Sequence, residues 1–411
     1  MTTTLRIGGR KRRSLNKRMR VLNKKTKVAR RNGSRRRIKM IVGGAKGSNI
    51  LLIIDPQKDF CDIEETSSKQ KGTLPFNQTS DSAGLPVPGA SNDLKRLCDF
   101  LKTNPTAFKE IHVSLDSHTK THIGHIGFWT PDDYQPTEVH ALPIPLETFY
   151  IDPTTPDFDI FVGDFLGNPK SPPQKAYTYK KELQKVAYAY VYLMQEKRKK
   201  DPTLPIPCLW AEHCIIGENG WNLYEPLKTT LEELKGKGIK VNYHEKGTND
   251  LVEMYSIFSA EVTFKDLFDP TNLLKYTNFP KLSLSDLPNE YQLNYMSPSV
   301  PKPNDNVNTP NTQRNYATIF NRVMFNELMG FNGENKVFVC GEAKSHCVKT
   351  SLQDMIKNCK GNITPKNIHL ISDMTSIIPG FESPTESAYS TMVKKGLQVT
   401  ESSNIMGVLL K

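Results

Sequence analysis

No stretch of this 411-residue chain holds enough consecutive apolar residues to cross a membrane or to form the apolar region of a secretory signal. A protein anchored by a transmembrane segment is therefore not expected. The seven cysteines, at positions 61, 98, 208, 214, 340, 347 and 359, lack the spacing of a disulfide framework, so the chain reads as intracellular and reduced. It has no internal repeat. Acid is absent from residues 1–48, which carry 18 Lys and Arg, while the rest of the chain holds 37 of the 55 basic residues and all 43 acids. The formal charge of +12 thus belongs to a tail, and the body is slightly acidic.

With so little apolar surface to bury, residues 1–48 are expected to be disordered in isolation. Leu15, Met19 and Leu22 fall at helical spacing, which leaves room for a short basic amphipathic helix on an anionic surface. A charge block of this kind neutralises phosphates, so nucleic acid is one partner it suggests. A solvated tail or a nuclear or organellar address on an otherwise cytoplasmic protein is the other reading. Beyond the tail, 37% apolar and 24% charged residues describe a globular body.

In that body, short apolar runs alternate with helical patterns. NILLIID at 49–55 reads as a buried parallel strand, followed by a helix over 89–103 with Leu94, Leu97, Cys98 and Leu101 on one face. The theme repeats: strand 111–116, helix 225–236, strand 239–245, helix 313–329 and strand 336–341. Helix 347–359, strand 368–373, helix 384–395 and a last strand over 397–401 complete it. The pattern predicts an α/β fold, a doubly wound and mostly parallel sheet with helices on both faces. Residues 130–205 form an insert whose Leu183, Val186, Ala187, Tyr190, Val191 and Met194 make an apolar stripe, read as core. Residues 275–312, rich in Pro, Asn and Ser, read as a surface arm.

In such sheets ligands bind beyond the carboxyl ends of the strands, where Asp55, Asp116, Lys246 and the segment before Cys347 fall. A cysteine at a helix start sits where the dipole lowers a thiol pKa, and an acid with a lysine beside it would accept the proton and hold the anion. Taken singly, Cys347 is a packing residue, Asp55 a cap and Lys246 a surface lysine. What the single readings leave unexplained is their meeting at one edge. Asp116 and His118, with His122, His125 and the distant His213, offer mixed carboxylate and imidazole ligands for zinc, iron or manganese. A histidine cluster without metal is the alternative. Asp59 is assigned to structural hydrogen bonding.

Five segments occur in a recognisable order: DPQKDF from Asp55, DSH from Asp116, WAEHC from Trp210, KGT then YSIF from Lys246, and GEAKSHCV ending at Val348. Together they resemble the nicotinamidase and isochorismatase-like cysteine hydrolases, in particular a longer, nicotinamidase-related branch, over residues 49–400 or so. The resemblance implies a catalytic triad of Asp55, Lys246 and Cys347 and a divalent metal, zinc in the first instance, on Asp116, His118 and His213. It places His122 at the family's additional histidine, Phe60, Trp210 and Tyr255 in the substrate pocket, and the N–H groups of Ala343 and Cys347 in an oxyanion hole after a cis peptide. It implies a hydrolase domain over 49–411 and an amidohydrolase acting on nicotinamide or another small carboxamide, and leaves a homo-oligomer open. A body recruited to nucleic acid by the tail, with a vestigial site, is the competing reading from a different class.

Overall fold

β1 (Asn49–Ile54) is apolar at five of its six positions, and Leu51, Leu52, Ile53 and Ile54 are fully buried, so it lies where both faces of a sheet are covered. Each such side chain stabilises the fold by about 1.5–3 kcal/mol. The computed structural model describes residues 47–62, 84–129, 144–145, 149–151, 160–162, 174–176, 178–204, 208–269, 282–283, 285, 287 and 318–410. The basic tail up to residue 46, most of the first half of the 130–205 insert and nearly all of the 275–312 segment lie outside the described residues.

The main sheet adds β2 (Glu110–Asp116), β3 (Lys240–Lys246), β4 (Lys336–Gly341), β5 (Ile368–Ile371) and β6 (Gln398–Thr400). All pairings are parallel and the order is β6-β5-β4-β1-β2-β3. The chain moves outward from β1 in one direction, then jumps back to β4 and moves outward in the other. Right-handed crossovers running in opposite directions put their helices on opposite faces, which gives the doubly wound fold expected from the sequence. The helices that serve them are α1 (Ala90–Thr103) and α3 (Glu225–Gly236) for one half, α5 (Lys349–Asn358) and α6 (Glu382–Lys394) for the other. The reversal lies between β1 and β4, whose register runs from Asn49 opposite Lys336 to Ile54 opposite Gly341.

Two helices depart from expectation. The helix expected over 313–329 is seen as α4 (Arg322–Met329), because residues 318–321 are not helical and the Asn321 side chain caps the start by accepting from Met324 N at 3.0 Å. The insert helix α2 (Gln184–Lys200) buries every residue from Val186 to Met194, so it is covered all round there rather than along a stripe. It packs in a second apolar cluster with Ile123, Phe128 and Trp129 from one loop and Leu251, Val252 and Met254 from another. Those two loops carry the histidines and the segment after Lys246. The insert therefore braces the segments that build the site.

Candidate active site

Lys246 ends β3 directly opposite Asp116 at the end of β2, a register that places the two side chains together. Its Nζ lies 2.8 Å from Asp116 Oδ1, 3.0 Å from Asp55 Oδ2 and 3.6 Å from Cys347 Sγ, and it also donates to Met254 O at 3.2 Å. The lysine is 1% exposed and Asp55 is fully buried. Burial opposes the ammonium charge, but Asp116 and then Asp55 overcome it and hold Lys246 well above the usual lysine range. Four groups that sequence alone placed at one sheet edge thus meet around one nitrogen.

Asp55 follows β1 with φ of 43°, a left-handed conformation that costs a non-glycine residue of order 1–3 kcal/mol. Ser114 holds it there. The Ser114 hydroxyl accepts from Asp55 N at 2.9 Å and donates to Asp55 Oδ1 at 2.6 Å. The Oδ2 atom is left facing Lys246, and burial raises the Asp55 pKa against the pull of that cation. Gln57 makes a second tie between the first two motifs: its side chain accepts from Asp116 N at 2.7 Å, and donates to Asp116 O at 2.7 Å and Trp221 O at 3.0 Å. Neither Ser114 nor Gln57 was assigned from sequence. The signal was there for Ser114, which lies two residues before Asp116 and so on the same face of β2.

Cys347 sits in a π-helical turn (Lys344–Val348) that runs into α5, rather than at the first residue of an α-helix. Burial raises the thiol pKa well above its usual value, with Lys246 pulling the other way. At 5% exposure, lost hydration opposes the thiolate that a helix start would favour. The peptide bond between Glu342 and Ala343 is cis, as the family resemblance implied. Gly341 before it has φ of 105°, and a Cβ there would lie 2.0 Å from Ile54 O, so only glycine lets the end of β4 close onto β1. That closure brings the Cys347 turn beside Asp55.

The histidines gather on the other side of Asp116. His118 Nδ1 bonds Gly247 O at 3.0 Å and His213 Nδ1 bonds Ala211 O at 2.8 Å, so the carbonyls take the Nδ1 protons and leave the Nε2 lone pairs free. Those lone pairs face Asp116 Oδ2, at 3.0 Å from His118 and 3.5 Å from His213. An unprotonated nitrogen facing a carboxylate is repulsive unless a proton or a cation lies between them. Burial works against a charged His118, but Asp116 overcomes this and raises its pKa. Gly247, at φ of 71°, is needed for this approach, since a Cβ there would lie 2.6 Å from the His118 ring.

His122 and His125 exchange the standing that sequence gave them. The His122 ring lies tilted against that of His118, 4.0 Å apart by ring centroids, yet both its nitrogens have backbone partners, Val252 O at 3.3 Å and Gly124 N at 3.1 Å. His125, fully buried, has neither nitrogen hydrogen-bonded, and burial holds it neutral. Ligand atoms of His118, His125 and His213 lie within 4.8 Å of one another; a second such group is His118, His122 and Glu253. Converging lone pairs, an orphaned buried imidazole and an adjacent carboxylate fit a divalent cation such as zinc, iron or manganese. Glu253 is a candidate ligand that sequence reasoning did not assign, and His125, named in the histidine cluster but outside the ligand set the resemblance implied, joins the candidates.

The three aromatics divide between the two halves of the site. Phe60 packs edge-on against His213 at 5.6 Å. Trp210 donates from Nε1 to Tyr255 OH at 2.9 Å, and both rings flank His346, the residue before the thiol, at 5.1 and 5.3 Å. Phe381 closes on His346 at 4.5 Å. Asp59 has the structural role expected of it, accepting from Gly84 N at 2.8 Å and Cys214 N at 2.6 Å. Among the described residues no helix is long and apolar enough to cross a membrane.

No protein-family model matches the chain, and no curated protein matches its sequence. Among solved structures it is similar to an Acinetobacter baumanii nicotinamidase and pyrazinamidase, at 14% identity and a TM-score of 0.41, over 88% of this chain and 99% of that one. An L. infantum protein in complex with nicotinate matches at 13% identity and a TM-score of 0.39, over 87% and 95% of the two chains. A Pyrococcus horikoshii pyrazinamidase in complex with zinc matches at 14% identity and a TM-score of 0.35, over 86% and 99%. The yeast nicotinamidase is also similar, at 15% identity and a TM-score of 0.39, over 86% and 99%.

Proposed function

We propose that this chain is a cysteine-dependent amidohydrolase that converts a small carboxamide, nicotinamide in the first instance, to its acid and ammonia. The observation that carries the reading is the buried Lys246 ammonium, held against Asp55, Asp116 and Cys347 at once. A solvated or merely structural lysine has no need of a thiol beside it.

In this reading Asp55 accepts the Cys347 proton as Sγ bonds to the carboxamide carbon. Its burial-raised pKa suits it to take a proton from a thiol whose own pKa is high, and Lys246 stabilises the negative charge wherever it rests in the pair. The carbonyl oxygen becomes an oxyanion, for which the N–H groups of Ala343 and Cys347 are the donors. The intermediate collapses as Asp55 returns the proton to the departing nitrogen, releasing ammonia and leaving a thioester on Cys347. Water then attacks the thioester carbon, Asp55 accepting its proton, and the S–C bond breaks to free the acid and restore the thiol. Trp210 and Tyr255, both buried and packed against His346, supply flat apolar walls suited to a heteroaromatic ring. Asp116, His118 and His213, with His125, would hold a divalent cation, which supplies a Lewis-acid contact to orient the substrate.

The test is ammonia release from nicotinamide by the full chain loaded with zinc, beside Cys347→Ala. Release that is abolished in the variant while its zinc content stays the same supports the reading. Release that survives the substitution removes Cys347 as nucleophile.

A further inference from the structure

Glu342 carries a carboxyl group that the proposed chemistry does not use, in a place where a carboxylate is costly. It directly follows β4 and precedes Ala343, and it is fully buried. Its backbone fixes the start of the Cys347 turn: Gly341 N donates to Met374 O at 3.0 Å, Glu342 N to Ile54 O at 2.8 Å and Lys344 N to Ser376 O at 2.8 Å. The side chain adds a fourth tie, with Oε2 accepting from Ser376 N at 3.0 Å. The other oxygen, Oε1, has no conventional hydrogen-bond donor.

What that side chain meets is another acid. Asp93, in the first turn of α1, accepts from Ser376 Oγ at 2.5 Å and Arg96 Nη1 at 3.1 Å, so Ser376, which also donates its N–H to Glu342 Oε2, bridges the two carboxyl groups. Two carboxylates are both acceptors, so buried side by side with Oε1 lacking a donor they are satisfied together only when one carries a proton. The neighbourhood favours keeping it on Glu342. Asp62 and Cys61 face it from the loop after β1, Cys340 from β4 and Tyr389 from α6, all neutral or negative groups. Arg96 spends its charge on Asp93 and on Asp373, and Lys344 lies over the Tyr389 ring. Burial first, then Asp93, raises the Glu342 pKa well above the usual carboxyl range.

We infer that Glu342 is a positioning residue whose carboxyl group, sharing one proton with Asp93, locks the turn that presents Ala343 N–H and Cys347 to the first turn of α1. Loss of that proton sets two buried carboxylates against each other and releases the turn, so activity falls as pH rises through that loss. The inference rests on the reading of Cys347 as the nucleophile of an amidase.

The experiment is the pH profile of ammonia release from nicotinamide by the zinc-loaded full chain, for the unchanged protein, Glu342→Gln and Asp93→Asn. Each substitution replaces the shared proton with an amide N–H that stays at any pH. The expected result is a fall in kcat with rising pH that is weaker in both variants than in the unchanged protein, by about tenfold at the upper end of the profile, with KM little altered. Superimposable profiles would overturn the inference. If the unchanged protein releases no ammonia, the amidase reading has failed, and the lock is tested separately through the thermal midpoint. Because the folded pKa of Glu342 lies above its unfolded value of 4.5, stability falls as pH rises from 4.5 towards that folded value. That fall should be reduced in Glu342→Gln, and an unchanged slope in both variants would overturn the lock.

Discussion

The pair β2 and β3 carries an acid opposite a lysine at each end: Glu110 with Lys240 where the strands begin, and Asp116 with Lys246 where they finish. The two bridges have nearly the same length, 2.7 and 2.8 Å, and each has histidines beside it, His112 and His244 at the first and His118 and His213 at the second. Solvent separates them. The Lys240 side chain is 63% exposed, whereas that of Lys246 is 1% exposed. In water such a pair contributes little, because the ions are hydrated and screened already. In the interior the same pair ties its partners' protonation states together, and removing one partner strands the other. The end of the strands that doubly wound sheets reserve for ligands is the end where the pair is dry.

Four tests break or sharpen this contrast, beginning with the largest effect. Lys246→Met should reduce ammonia release by at least about a thousandfold and also destabilise the fold by on the order of 3 kcal/mol, since Asp55 and Asp116 are left buried without their cation. Denaturant unfolding beside the activity assay reads both, and near-normal activity would sink the assigned role. His118→Ala and His125→Ala should each weaken zinc binding at least about tenfold, with His122→Ala doing less, because only His122 has both nitrogens satisfied by backbone. Zinc retained after dialysis measures this; a His125 variant that keeps its zinc while the His122 variant loses it reverses the assignment.

The third effect is pH-dependent and belongs to the wetter end. Hydrogen bonding from His112 lowers the Glu110 pKa from 4.5 to about 2, and burial followed by His112 lowers that of His244 from 6.5 to about 3. Both folded values lie below the unfolded ones. Their stabilisation is therefore complete above pH 6.5 and is lost as pH falls through about 3 and then about 2. His244→Gln should lose part of the decline in thermal midpoint between pH 6.5 and 3, and an undiminished decline would show that His244 is not its source. The smallest effect is Lys240→Ala, expected to shift unfolding free energy by no more than about 0.5 kcal/mol and leave activity unchanged.

Much of this was legible in the sequence. Runs of strand length, four of the six ending at or just before Asp, Lys or Gly, point to the parallel strands and place Asp55, Asp116 and Lys246 at one edge. Less legible was whatever depends on which way a side chain turns. His122 and His125 both follow Asp116 at short range, and only the carbonyl of Val252 and the N–H of Gly124 tell them apart. The Cys347 thiol could be placed near a helix start but not weighed, since its burial depends on residues far away in sequence. The insert helix gave a stripe because only residues at helical spacing were counted; Tyr188, Ala189, Tyr192 and Leu193 between them are buried as well, by segments that no local pattern predicts.

The strand order sets the sequence in which this site can be assembled while the chain is being made. β1, β2 and β3 can zip together once Lys246 has emerged, but the other edge of β1 pairs with β4, which follows much later. Until then a strand edge apolar at five of its six positions waits with its N–H and C=O groups unpaired, the condition in which incomplete chains stick to one another. The acids and the lysine thus meet before the thiol exists. A ribosome that stalls ahead of Lys336 would release a chain able to gather the charges but unable to hydrolyse anything, with its most aggregation-prone edge still open.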